Sequence, residues 1–137
     1  MKQTFDLDEI MFKLLNVKTI TDEISGGIYL GDGRPEDSSK EDVVVNSIDL
    51  TQDYLPQVAT TNVNIYVPDK PFQIDGKCQF VACRDKLKAI AVKVVAVLRN
   101  AVVPGLKFVI EAQNVLREES IKQHYVNIRI SWNIQID

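Results

Sequence analysis

Between residues 124 and 136 apolar and polar side chains alternate without a break. Val126, Ile128, Ile130, Trp132, Ile134 and Ile136 share one parity, and Tyr125, Asn127, Arg129, Ser131, Asn133 and Gln135 take the other. A two-residue period is that of a strand with one buried face. A sheet with one apolar face needs cover on that side from helices or a second sheet, while its other face meets water or a polar surface.

Two stretches follow helical spacing. Near the start, Leu7, Ile10, Met11, Leu14 and Leu15 recur at i, i+3, i+4, i+7 and i+8, a single apolar stripe. Asp6 is the expected N-cap with Glu9 three residues on, and Phe5 is placed to staple onto Ile10. Acids in a first helical turn suit the helix dipole, so Asp6, Asp8 and Glu9 are read as capping residues and not as metal ligands. A second helix is expected over 84–101, ahead of Pro104-Gly105, with Leu87, Ile90, Ala91, Val94, Leu98 and Ala101 inward. On its outer side Ala89, Val92, Ala96 and Val103 sit among the bases, as they would if that side met another subunit.

The remaining strands are short. Ile28-Tyr29-Leu30 lies between Gly26-Gly27 and Gly31-Asp32-Gly33; 43–50 begins apolar on both parities; 62–67 alternates Val63, Ile65 and Val67 with Asn62, Asn64 and Tyr66. Pro68-Asp69-Lys70-Pro71 ends that strand, because proline cannot continue a ladder. A further strand over 106–113 turns Leu106, Phe108 and Ile110 inward. Residues 34–42, RPEDSSKED, carry too little apolar surface to order themselves and are expected to form a mobile surface loop. The order predicts an α+β fold spanning residues 1–137 as one domain, a mainly antiparallel four- to five-stranded sheet with two helices packed on one face.

Composition adds mostly exclusions. A chain of 137 residues with 45% hydrophobic and 26% charged side chains can bury a core without staples, and no apolar run is long enough to span a bilayer. The N-terminus turns acidic where a signal peptide would be apolar, so a cytoplasmic protein is expected. Cys78 and Cys83 offer neither a disulfide framework nor a second zinc-ligand pair, and buried thiols are expected. The glycines around Tyr29 lack the spacing of a phosphate-cradling loop. The single histidine, His124, has no nucleophile setting and reads as a surface residue, and Glu118-Glu119 reads as a solvated turn. No catalytic residue, metal site or cofactor is therefore assigned.

Charge is uneven. Residues 31–53 hold seven acids against Arg34 and Lys40, a net of −5, and residues 77–107 hold seven bases against Asp85, a net of +6. These two regions could face each other within a chain or between chains, or simply be solvated. Nucleic-acid binding through the basic helix is a rival reading. Its bases are spread around the helix without a stacking platform, and the acidic loop would repel phosphates. An enzyme domain of uncharacterised chemistry is the other rival.

The helix ending in IMFKLLN, the GGIYLG turn and strand, the strands DVVVNSIDL and TNVNIYVPD, the long helix and the last strand YVNIRISWNI resemble the tail terminator, or tail completion, proteins of tailed bacteriophages and prophages. The likeness lies in element order and length over nearly the whole chain, and the RPEDSSKED loop is longer than the family's usual link. The resemblance implies a non-enzymatic structural protein of the virion, typically a ring of six subunits that caps the tail tube and meets the head connector. It transfers no catalytic residues. A ring needs two complementary patches on each subunit. The expected pair is Asp32, Glu36, Asp37 and Glu41 on the loop against Lys88, Val92, Ala96 and Arg99 on the helix.

Overall fold

The computed structural model describes residues 1–136. In chain order the elements are α1 (Thr4–Leu15), a one-turn α2 (Lys18–Thr21), β1 (Ile28–Leu30), β2 (Asp42–Leu50), β3 (Gln57–Pro68), β4 (Lys70–Ile74), β5 (Lys77–Val81), α3 (Arg84–Arg99), β6 (Leu106–Glu118) and β7 (Gln123–Ile134). Five strands form one sheet in the order β1-β2-β3-β7-β6, with β1 parallel to β2 and every other pairing antiparallel. This is the α+β arrangement expected from the sequence.

The alternating strand β7 sits between β3 and β6 and pairs with both along its length. Its even-numbered residues Val126, Ile128, Ile130, Trp132 and Ile134 are buried against α1 and α3, together with Val63, Ile65 and Val67 of β3 and Val43 and Val45 of β2. Leu7, Met11 and Leu15 bring α1 onto this face, and Leu87, Ile90, Ala91, Val94 and Leu98 bring α3. Fully burying one such aliphatic side chain contributes about 1.5–3 kcal/mol. The Trp132 ring lies against Phe108, and its indole N–H donates to Thr61 Oγ1 at 2.9 Å inside the core.

Several local expectations are corrected. The N-cap of α1 is Gln3, not Asp6; Asp6 stands three residues further on and accepts the Gln3 backbone N–H at 2.7 Å. Phe5 is 74% exposed and makes no staple. Asp8 has a different use, accepting the Ser47 N–H at 2.8 Å where the β2–β3 register slips by one residue. Strand β3 begins at Gln57, five residues earlier than its alternation suggested, and β6 continues to Glu118. Gln57 is buried because its side-chain amide binds the Lys2 backbone and the Thr51 carbonyl, tying the chain start to β3.

Strands β4 and β5 have no counterpart among the elements expected from the sequence. They form a two-stranded ribbon outside the main sheet, exposed along nearly its full length, and Asp75-Gly76 at its tip carries the two positive φ values that a tight hairpin turn needs. Its root is held firmly. The Asp69 N–H donates to the Lys122 carbonyl at 3.0 Å, Asp69 Oδ1 meets His124 Nδ1 at 2.6 Å, and Lys122 Nζ lies 4.3 Å from the centre of the Phe80 ring. His124 is thus a half-buried partner of a shielded carboxylate and not a free surface residue. Cys78 is exposed on this ribbon and Cys83 is half-buried, so neither is the buried thiol expected.

Candidate assembly surfaces

Residues 34–42, expected to form a mobile loop, are anchored to the sheet. Asp42, at the start of β2, points to the sheet face away from the helices, and its side chain is fully shielded. Its carboxylate accepts from the Gly27 N–H at 2.9 Å, from Arg34 Nε at 2.7 Å and from the Ser38 hydroxyl. A second nitrogen of Arg34 donates to Gln123 Oε1 at 2.7 Å, and the Gln123 amide donates to the Ser38 carbonyl at 2.7 Å. The guanidinium also lies 4.3 Å above the Tyr66 ring, which stacks on Tyr125. One arginine therefore folds the loop onto the sheet, because a planar, always-charged group can satisfy a buried carboxylate, an amide and an aromatic face together. Burial first, and the neighbouring Tyr125 second, raise the Tyr66 phenol above the ordinary tyrosine range.

The charges seen in the sequence sort into two sets. Glu23 binds Lys93 at 2.8 Å and lies 3.5 Å from Lys86, and Lys86 lies 3.7 Å from Glu41. The Lys93 hydrogen bond, helped by the charge of Lys86, holds the Glu23 carboxyl below its usual range. So part of the acidic region does face the basic helix within one chain, and Glu41 belongs to that internal set. Among the described residues the side chains of Asp32, Glu36 and Asp37 are exposed and make no hydrogen bond or ion pair, and the same holds for the side chains of Arg84, Lys88 and Arg99 of α3.

At about 100° per residue, Lys86 and Lys93 project from nearly the same side of α3, while Arg84, Lys88, Val95 and Arg99 project from the opposite one. That second side forms one wall of a groove whose other wall is β6. Its floor is apolar: Leu87, Ala91 and Val95 from the helix, Ile110 from β6 and Val126 from β7. Val92 and Val115, at 57% and 56% exposure, leave apolar surface open at its lip, and Glu111 is the one acid beside it. The expected helix residues Lys88, Val92, Ala96 and Arg99 all line this groove. The strand half went unseen because β6 beyond Ile110 is exposed nearly throughout and shows no clean alternation. Strand β6 is also a sheet edge, with one row of backbone groups facing outward along thirteen residues.

Among the described residues no group of three or more His, Cys, Asp or Glu side chains is arranged to hold a metal ion, and no helix is long and apolar enough to cross a membrane. No protein-family model and no curated protein matches the chain. Its fold is shared with a solved chain described as "Virion of native gene transfer agent (GTA) particle", with a TM-score of 0.56 over 92% of each chain at 11% sequence identity.

Proposed function

We propose that this protein is a non-enzymatic structural component of a phage-like particle, acting in the tail or neck as a tail-terminator-type ring subunit. The observation that carries the reading is the shared fold with a chain of a gene transfer agent virion, over 92% of each chain. The element order already resembled tail terminators, and the structure adds surfaces suited to self-association: an apolar groove, a long open strand edge and a projecting ribbon. Subunits made in the bacterial cytoplasm assemble into a closed ring, with six as the expected number. The ring caps the completed tail tube, offers its other side to the head connector, and enters the virion. Neither membrane nor nucleic acid is a partner in this reading.

The test is assembly and tube binding. Negative-stain images of the purified protein should show rings, and tubes polymerised from a cognate tail tube protein should be decorated at their ends only. Subunits that stay monomeric at high concentration and leave tube ends bare would remove the proposal.

A further inference from the structure

The two unpaired charge sets lie on different surfaces of the molecule. Arg34 and Ser38 pin the acidic loop to the sheet face that carries Tyr66 and Gln123, away from the helices. The groove opens on the helix-covered face, at the β6 edge, so a chain's own loop does not meet it. A contact between unlike patches of two copies is heterologous, the kind that generates rings when its rotation closes.

We infer that the groove between α3 and β6 receives the 32–37 loop tip of a second copy of this chain, with Asp32, Glu36 and Asp37 set against Arg84, Lys88 and Arg99. The inference rests on the ring reading and names the surface that builds it. Charge complementarity selects the occupant. The groove rim carries three bases without internal partners against Glu111, the loop tip carries three acids without internal partners, and Lys86, Lys93, Glu23 and Glu41 are already neutralised inside the chain. The apolar groove floor suits a peptide more than a phosphate backbone, since nucleic acid would want stacking surfaces and a continuous basic track. The loop is held in shape before it docks, so little ordering entropy is lost on contact. Exposed ion pairs add little each, so the charges set register while Val92, Val95 and Val115 supply apolar contact.

Sedimentation over a concentration series, on the Cys78→Ser background, tests this with four proteins. The parent associates. Lys88→Glu with Arg99→Glu weakens association by about tenfold or more. Glu36→Lys with Asp37→Lys weakens it similarly, and the combined variant regains most of the loss. Raising salt toward 1 M weakens the parent less than charge reversal does, because screening removes attraction without adding repulsion. Independently, Asp37→Cys mixed with Val92→Cys should form intermolecular disulfides under mild oxidation, whereas Asp37→Cys mixed with Val58→Cys should not.

Rings that persist unchanged in both charge variants, with no cross-link, would overturn this interface and leave the ring reading standing. A parent that is monomeric throughout would end both. If the parent shifts duplex DNA in a gel and loses that shift on Lys88→Glu with Arg99→Glu, the groove belongs to nucleic acid and the inference fails.

Discussion

Arg34 and Asp42 meet at 2.7 Å with the Asp42 side chain wholly shielded and the Arg34 side chain 10% exposed. A buried ion pair of this kind is costly to break, because removing one partner strands the other charge. Arg34→Ala should destabilise the protein by about 3–5 kcal/mol, whereas replacing both residues, Arg34→Met with Asp42→Asn, should lose much less. Urea unfolding of the three proteins measures it, and equal losses in the single and double variants would show that the charge left behind is not the cause. Limited proteolysis should cut within 35–40 in Arg34→Ala well before the parent.

Gly26 guards the same carboxylate from the other side. A Cβ there would collide with the Asp42 side chain and stand 2.6 Å from the Glu41 carbonyl oxygen. Gly26→Ala should therefore cost roughly 1–3 kcal/mol, well above the few tenths expected of an ordinary surface change. A melting temperature equal to the parent's would contradict the close approach.

Trp132 is the largest side chain fully enclosed between the sheet and the helices. Trp132→Ala should cost about 3–5 kcal/mol. Thr61→Val keeps the shape but strands the indole N–H, which should cost about 1–3 kcal/mol. Trp132→Phe removes that donor, so Thr61→Val made in the Trp132→Phe background should cost clearly less. A double-mutant cycle by denaturation decides between a packing role alone and packing with a hydrogen bond.

Tyr66 gives a pH signature. Its pKa is raised in the folded state, so the native protein holds this proton more tightly than the unfolded chain does. The associated stability is present in full below the unfolded tyrosine pKa of about 10 and is lost as pH rises through the higher folded value. In an ultraviolet titration Tyr66 should ionise above the ordinary tyrosine range, and Tyr66→Phe should remove that late component. The Tyr66→Phe variant should also flatten the fall of stability in the alkaline range, and a parent whose tyrosines all titrate together at the ordinary value would count against the buried placement.

Metal removal should change nothing. Dialysis against EDTA is expected to leave both melting temperature and sedimentation as they were, and elemental analysis of protein purified without a metal-affinity step should find no stoichiometric zinc or iron. A drop in melting temperature on chelation would reopen the question of a site.

What could be read from the chain was whatever a single period encodes. The parity of Val126 to Ile134 and the stripe through Leu7, Met11 and Leu15 each depend on one face of one element, and both are found in the core. The helical period likewise places Lys88, Val92, Ala96 and Arg99 on the outer side of α3, but it leaves no sign that β6 stands beside them. Pairings between distant residues leave no local mark. Arg34 and Gln123 stand 89 positions apart and look like ordinary polar residues until β2, β3 and β7 bring them together. The ribbon from Lys70 to Val81 leaves no periodic signal because nearly every residue in it is exposed, so no burial alternation forms, and Pro71 reads as a stop.

The position of β7 in the sheet also bears on the order of events at the ribosome. The strand that joins β6 to the rest of the sheet emerges after all the others, and its partner β3 lies up to 77 positions upstream, as in the Gln57–Ile134 pair. Until β7 arrives, β3 has an open edge, β6 has no neighbour, and α1 and α3 have only half a surface to cover. Such distant pairing closes late and is slow compared with local hairpins. A chain released before Gln123 should therefore remain unfolded and open to proteolysis, whatever it carries upstream. Competence to fold this sheet therefore waits on β7, however much of the core has been made before it.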